Sequence, residues 1–232
     1  MTLIKYVIIQ LRSESERIRH VTGALLPFLP LNQVEVLDAV ERASLPPPEE
    51  LLRQGVIHPI NDLLPPAAQR LGQVACAMSH VEILRRHAAS KDRDAWMVVF
   101  EDDVELMYPK SFTIRLEERL ASLPPTADAC YLHVYDGRED EVAGQEEVAP
   151  GVRRAHKMFA TWAIAYRPKG AALLAAQAFP MHRAIDNTLS ELVTSGAIEM
   201  YTCLPALVRS AGDVGPFAEH RRAMRSTIWL TR

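Results

Sequence analysis

Three consecutive carboxylates, Glu101-Asp102-Asp103, follow directly on the apolar run Met97-Val98-Val99-Phe100. A short, solidly apolar run reads as a buried strand. Adjacent like charges repel, and a carboxylate is costly to bury without a partner. A fold tolerates such a cluster where a strand leaves the sheet, and in α/β sheets ligands bind outside the carboxyl ends of the strands. Hard divalent cations take oxygen ligands. Mg2+ or Mn2+ commonly bridges one or two carboxylates to a substrate diphosphate. If strand geometry continued, Glu101 and Asp103 would point to one side and Asp102 to the other.

The triplet alone leaves alternatives open. It reads equally as a solvated acidic turn capping a strand. As a metal site it would suit a two-metal nuclease, a nucleotidyltransferase or a glycosyltransferase.

The elements around the triplet read as strands alternating with helices. Tyr6–Leu11 is a β-branched run and reads as a buried strand. A charged, helical pattern follows from Arg12 through about Leu26, stopped by Pro27 and Pro30. Val34–Ala39 reads as a second strand, so the start of the chain is a βαβ unit with parallel strands. Leu71, Val74, Ala75, Met78 and Val81 recur at helical spacing within a helix expected over Leu71–Ala89. Further strands are expected at Trp96–Phe100, Ala129–Val134, Thr161–Tyr166 and Ile198–Cys203. Further helices are expected from Phe112 to Leu123 and from Lys169 to Phe179. Thr188 and Glu191 form a capping-box pattern for a short helix closed by Gly196. Two stretches, 44–66 and 136–157, read as long loops, the first irregular and rich in proline, the second flexible. Such loops are often functional. The alternation predicts an α/β protein, helices packed over a mostly parallel sheet.

Composition narrows the function classes. The chain has 232 residues, enough for one large domain or one domain with a small annex. Hydrophobic residues make up 48%, which argues against disorder as the main state. The net charge of −3 is too acidic for a protein built to grip nucleic-acid phosphates, so a nucleic-acid partner is not expected. Cys76, Cys130 and Cys203 are too few and too widely spaced for a disulfide framework or a zinc motif, and they read as small buried hydrophobes. No stretch approaches the ~18 apolar residues of a membrane span, and the opening apolar run is too short for a signal peptide. A cytoplasmic protein is expected. The closing segment carries His220-Arg221-Arg222, Arg225 and Trp229, a basic and aromatic pattern that could rest on the anionic inner face of a membrane.

Six segments, in order, carry a family resemblance. They are Tyr6-Val7-Ile8-Ile9-Gln10-Leu11-Arg12 with Arg17; Val36-Leu37-Asp38-Ala39-Val40; Gly72 to His80, ending in a Ser79-His80 pair; Glu101-Asp102-Asp103-Val104; Trp162 to Tyr166 with Lys169-Gly170-Ala171; and Ala184-Ile185-Asp186. Asp128 to Leu132 and Leu204 to Val208 follow the same order. The set resembles glycosyltransferase family 25, which includes bacterial lipooligosaccharide galactosyltransferases and collagen galactosyltransferases. Four positions depart from its usual pattern: Gln10, Ala75, Ala160-Thr161 and Ala184.

The resemblance implies a GT-A type nucleotide-diphospho-sugar transferase fold over residues 1–210, with 211–232 as a basic tail. It implies transfer of a hexose, galactose or glucose, from a UDP-sugar to a glycan, lipid-linked saccharide or protein hydroxyl. Lipopolysaccharide biosynthesis is one such setting. On that basis Glu101, Asp102 and Asp103 would hold Mn2+ or Mg2+ against the donor diphosphate. Leu11, Arg12, Arg17, Asp38, His80 and Asp102 would lie along the donor. Asp186 would be the base of an inverting displacement. Each has a plainer reading. Arg17 could be a solvated helix face, Asp38 a turn residue, His80 an interfacial histidine and Asp186 a helix cap. A binding domain that keeps the fold without turnover is the main alternative, and a metal-dependent nucleotidyltransferase a weaker one.

Overall fold

The computed structural model describes residues 3–63, 67–135 and 138–211. The first half of the chain runs β1 (Ile4–Gln10), α1 (Ser15–His20), β2 (Val34–Asp38), α2 (Pro48–Arg53), α3 (Ala67–Ala88), β3 (Trp96–Glu101), β4 (Val104–Leu106) and α4 (Phe112–Ala121). The second half runs β5 (Ala129–Tyr131), α5 (Glu139–Ala143), β6 (Glu147–Ala149), β7 (Val152–Arg154), β8 (Ala163–Tyr166), α6 (Pro168–Gln177), α7 (Ile185–Thr194), β9 (Met200–Cys203) and β10 (Val208–Ser210). The expected basic tail, with His220 and Trp229, lies outside the described residues.

Eight strands form one sheet in the order β2-β1-β3-β8-β5-β9-β7-β6. β8 and β7 run against the other six. The molecule is therefore an α/β protein around a sheet whose strands mostly point one way, as the alternation of elements predicts. β4 and β10 pair antiparallel in a separate two-stranded ribbon.

Strand alternation divides the core in two. Val7, Ile9, Met97, Val99, Tyr131, Ile164 and Met200 face one side, with Val74, Val81 and Leu84 of α3, Leu174 of α6 and Leu189 of α7. Tyr6, Ile8, Val98, Phe100, Cys130, Ala165 and Tyr201 face the other, with Val21, Leu25 and Phe112, Leu116 and Leu120 of α4. A sheet covered on both faces needs strands that are apolar at every position, which is why β1 and β3 read as solid runs.

Helix α3 spans 22 residues and starts earlier than its periodicity suggests. It packs most closely on α6. Gly170 permits a close approach where α6 begins: a Cβ there would lie 2.3 Å from the Asp128 carbonyl oxygen. Arg85 and Arg86 are exposed on the face away from the core, and Arg86 pairs with Glu35 at 2.8 Å.

Several expectations need correction. The helix after β1 is short, and the chain continues through a π turn at Val21–Leu25 and a 3-10 turn at Leu26–Phe28. The stretch 44–66 is not wholly irregular: it contains α2, with Pro48 in the first helical turn and Leu51 buried. Proline suits that position because its missing N–H would be unpaired anyway. The stretch 136–157 is not a flexible loop where it is described. It forms α5 and the β6–β7 hairpin, and β7 joins the sheet beside β9. Its strands are three residues long and half polar, leaving too few positions for period-two alternation to register. The helix near Asp186 starts at Ile185, so Thr188 is inside it and donates to the Ala184 carbonyl instead of capping.

Candidate functional site

The carboxyl ends of β1, β2 and β3 lie side by side, because β1 is paired in parallel to both neighbours. A cleft of about 300 Å³ opens there. Its walls include Leu11 and Arg17 after β1, Ala39 to Ala43 after β2, Cys76, Ser79 and His80 of α3, and Glu101, Asp102 and Asp103 after β3. Six of the residues singled out in the sequence thus meet in one place: Leu11, Arg17, His80, Glu101, Asp102 and Asp103.

Regular strand geometry ends at Glu101, and Asp102-Asp103 form the turn into β4. The expected alternation of the three carboxylates therefore fails. Asp102 and Asp103 share one partner, and Glu101 faces another group. Arg17 is 5% exposed and donates to both Asp102 and Asp103, the latter at 3.1 Å. It is no solvated helix face. The second Asp102 oxygen accepts the Leu11 N–H at 2.7 Å. The triplet is thus not three unpaired acids, since Arg17 supplies a fixed cation among them.

Glu101 looks toward α3 and β8. Its Oε1 accepts the Thr161 hydroxyl at 2.6 Å and stands 3.3 Å from His80 Nε2. His80 is 1% exposed, and its Nδ1 has no partner among the described residues. The preceding Ser79 ties the helix to the strand edge. Its hydroxyl donates to the Ala75 carbonyl and accepts the Val40 N–H.

The electrostatics follow from burial. Burial, against the opposing pull of Arg17, and the neighbouring Glu101 and Asp102 charges push the Asp103 carboxyl up to about 7. Burial also raises Asp102, with Arg17 and the Leu11 N–H opposing. Burial works to raise Glu101 as well, yet His80, Thr161 and Arg17 hold it below its ordinary value. The Cys76 thiol is raised well above the usual range, first by burial and then by Glu101 and Asp186.

A hard cation needs an available carboxylate oxygen. Both Asp102 oxygens and one oxygen of Asp103 are engaged, while Asp103 Oδ1 is buried with no partner among the described residues. Asp103 Oδ1 is thus the oxygen of the Asp102-Asp103 pair left for a hard cation, while Glu101 is turned to His80 and Thr161.

Three sequence candidates sit elsewhere. Arg12 and Asp38 pair with each other, their side chains 75% and 53% exposed, and neither lines the cleft. Asp186 opens α7. Its carboxylate accepts the Ala160 N–H at 3.2 Å and the Asn187 N–H at 2.8 Å. Burial raises it, with those N–H groups opposing and the Glu101 charge adding to the rise. Ala160 holds a φ of 64°, a left-handed conformation that aims its N–H at Asp186 and costs an alanine on the order of 1–2 kcal/mol.

Sequence reasoning missed Cys76, Thr161 and Glu41. Cys76 is not a buried hydrophobe like Cys130 and Cys203 but a half-buried wall of the cleft. Its spacing of four from His80 was the available signal, since such pairs share a helix face. Glu41 accepts the Ser13 N–H and hydroxyl at 3.0 and 2.7 Å, which a sequence cannot announce.

No family model matches the chain, and no curated protein does. Among solved structures it is similar to mouse xyloside xylosyltransferase 1 in its apo form, at 9% identity and a TM-score of 0.39, over 99% of this chain and 82% of that one. No described helix is long and apolar enough to cross a membrane.

Proposed function

We propose that the chain is a metal-dependent glycosyltransferase of the GT-A type, taking a UDP-sugar into the cleft at the ends of β1, β2 and β3. It would move a hexose, galactose or glucose, to a hydroxyl of a glycan, lipid-linked saccharide or protein, with inversion. The observation that carries this reading is the meeting of Leu11, Arg17, His80, Glu101, Asp102 and Asp103 in one cleft at the carboxyl ends of parallel strands. The ordered motifs that resemble family 25 supply the sugar-transfer chemistry.

In this reading the residues divide the work. Asp103, through its unpartnered oxygen, and Glu101 hold Mn2+ or Mg2+, which offsets charge on the departing diphosphate. Asp102 fixes Arg17 and the Leu11 N–H, so the donor meets a cation already in place. Preset groups of this kind need no reorganisation during reaction. Asp186 takes the acceptor hydroxyl proton, and burial, which raises its carboxyl, strengthens it as a base. Arg12 and Asp38 form the outer margin.

One observation favours a second reading, a binding domain without turnover. Arg17 already pairs with both Asp102 and Asp103, so the acidic turn has a cation of its own before any metal ion binds. Release of UDP from UDP-galactose and UDP-glucose, with Mn2+ or with chelator, separates the two. Metal-dependent release, lost in Asp103→Asn and reduced at least tenfold in Asp186→Asn, is the expected result. Donor binding with no release, even with a broad acceptor panel, would favour the binding domain.

A further inference from the structure

Glu101 belongs to a second donor set. Cys76 and His80 lie four residues apart on α3, which places both on one face of the helix. Glu101 reaches the same point from the end of β3. One ligand atom from each of the three lies within 4.8 Å of the others, and the carboxylate is already 3.3 Å from His80 Nε2. Around a tetrahedral zinc such atoms are about 3.3–3.8 Å apart, so small side-chain rotations would close the set. Two further observations point to a ligand. His80 is 1% exposed yet leaves Nδ1 without a partner among the described residues. All three side chains line the cleft, so an ion there would keep an open side.

We propose that Cys76, His80 and Glu101 form a binding site for a zinc-class divalent cation, with its remaining positions open to water or an anionic ligand in the cleft. The sulfur–nitrogen–oxygen set selects against Mg2+, which prefers oxygen alone. Binding replaces the Cys76 S–H bond with a metal–sulfur bond and releases the proton to solvent. Three protein ligands and an open side are the pattern of a reactive zinc centre, not of a closed structural one. The site needs only these side chains and stands whether or not the cleft takes a UDP-sugar. Since both sites draw on Glu101, zinc is expected to compete with any hard cation held by Asp103.

Cobalt reports on such a site because a thiolate ligand gives it a near-ultraviolet charge-transfer band. Chelator-treated full-length protein titrated with Co2+ should bind one equivalent, develop that band, and lose it on addition of zinc. Cys76→Ser should abolish the band, His80→Gln should weaken binding by roughly tenfold or more, and Cys203→Ser should leave the band intact. If Cys76→Ser fails to fold, His80→Gln carries the test. Absence of the band in the wild type, or its survival in Cys76→Ser, overturns the proposal. So does its loss in Cys203→Ser, which would move the metal to the buried Cys130 and Cys203 sulfurs, 3.8 Å apart. A thermal shift with UDP, measured separately, decides the donor reading without touching this result.

Discussion

Two clusters of arginines and carboxylates sit on well-separated strands of the sheet. At the ends of β1 and β3, Arg17 meets Asp102 and Asp103 with all three side chains under 9% exposed. On the β6–β7 hairpin, Arg153 and Arg154 meet Glu146, Glu147 and Glu199 largely in water. The difference shows how burial magnifies what pairing begins. In water the pairs are screened, and their effect is local: the Glu146 hydrogen bond raises Arg154, and the Tyr201 hydroxyl lowers Glu199. In the cleft each charge fixes its neighbours, raises or lowers their proton affinity, and leaves one oxygen with nothing to bind.

The comparison can be broken most directly at Arg17. Arg17→Met removes the positive charge that faces two buried carboxylates, and such a loss costs about 3–5 kcal/mol. Urea unfolding at pH 7.5 measures it, and a loss below ~1 kcal/mol would place the cleft pair in the same class as the hairpin pairs. Next comes pH. Asp103 has its carboxyl raised in the fold to about 7, above the ordinary unfolded value of about 3.9. The folded state thus holds the proton more tightly, and stability from this group is full below about pH 4 and lost as pH rises through about 7. Asp103→Asn should flatten stability between those limits and be more stable than wild type at pH 8. An unchanged pH profile would show that Asp103 is not held among fixed charges.

Gly170→Ala tests packing outside the cleft, and the 2.3 Å approach to the Asp128 carbonyl predicts a loss of about 1–3 kcal/mol by overpacking. The smallest effect belongs to the hairpin. Arg154→Ala should cost less than about 1 kcal/mol, since its side chain is 45% exposed in its pairs with Glu146 and Glu199. A loss as large as that of Arg17→Met would erase the contrast.

The same contrast explains what could be read from the sequence. β1, β3 and the acidic turn were legible because strands covered on both faces must be apolar throughout, and an abrupt run of acids marks where they leave the sheet. Parallel pairing of β1 and β3 sets Leu11 beside the triplet, whereas His80 on α3 entered only through the family resemblance. The inward turn of Arg17 was not legible: a single arginine in a charged helical stretch looks the same whether it faces solvent or Asp102. Nor was the hairpin, whose apolar signal reduces to scattered residues such as Val142 and Val152. Cys76 escaped because its partner Glu101 lies 25 residues on and meets it only through the packing of α3 over the sheet. β4 and β10 are three residues each, and their pairing depends on contacts between distant parts of the chain.

The central claim is that the cleft binds a nucleotide diphosphate sugar with the help of a cation at Asp103. Thermal unfolding with UDP-sugars, in Mn2+ or in chelator, tests it most directly. A donor at ~100 times its dissociation constant should add about 2.7 kcal/mol, raising the midpoint by roughly 5–11 °C. That shift is expected for one UDP-sugar in Mn2+, with most of it gone in chelator and in Asp103→Asn. No shift with any nucleotide, or a full shift in Asp103→Asn with chelator present, would contradict it.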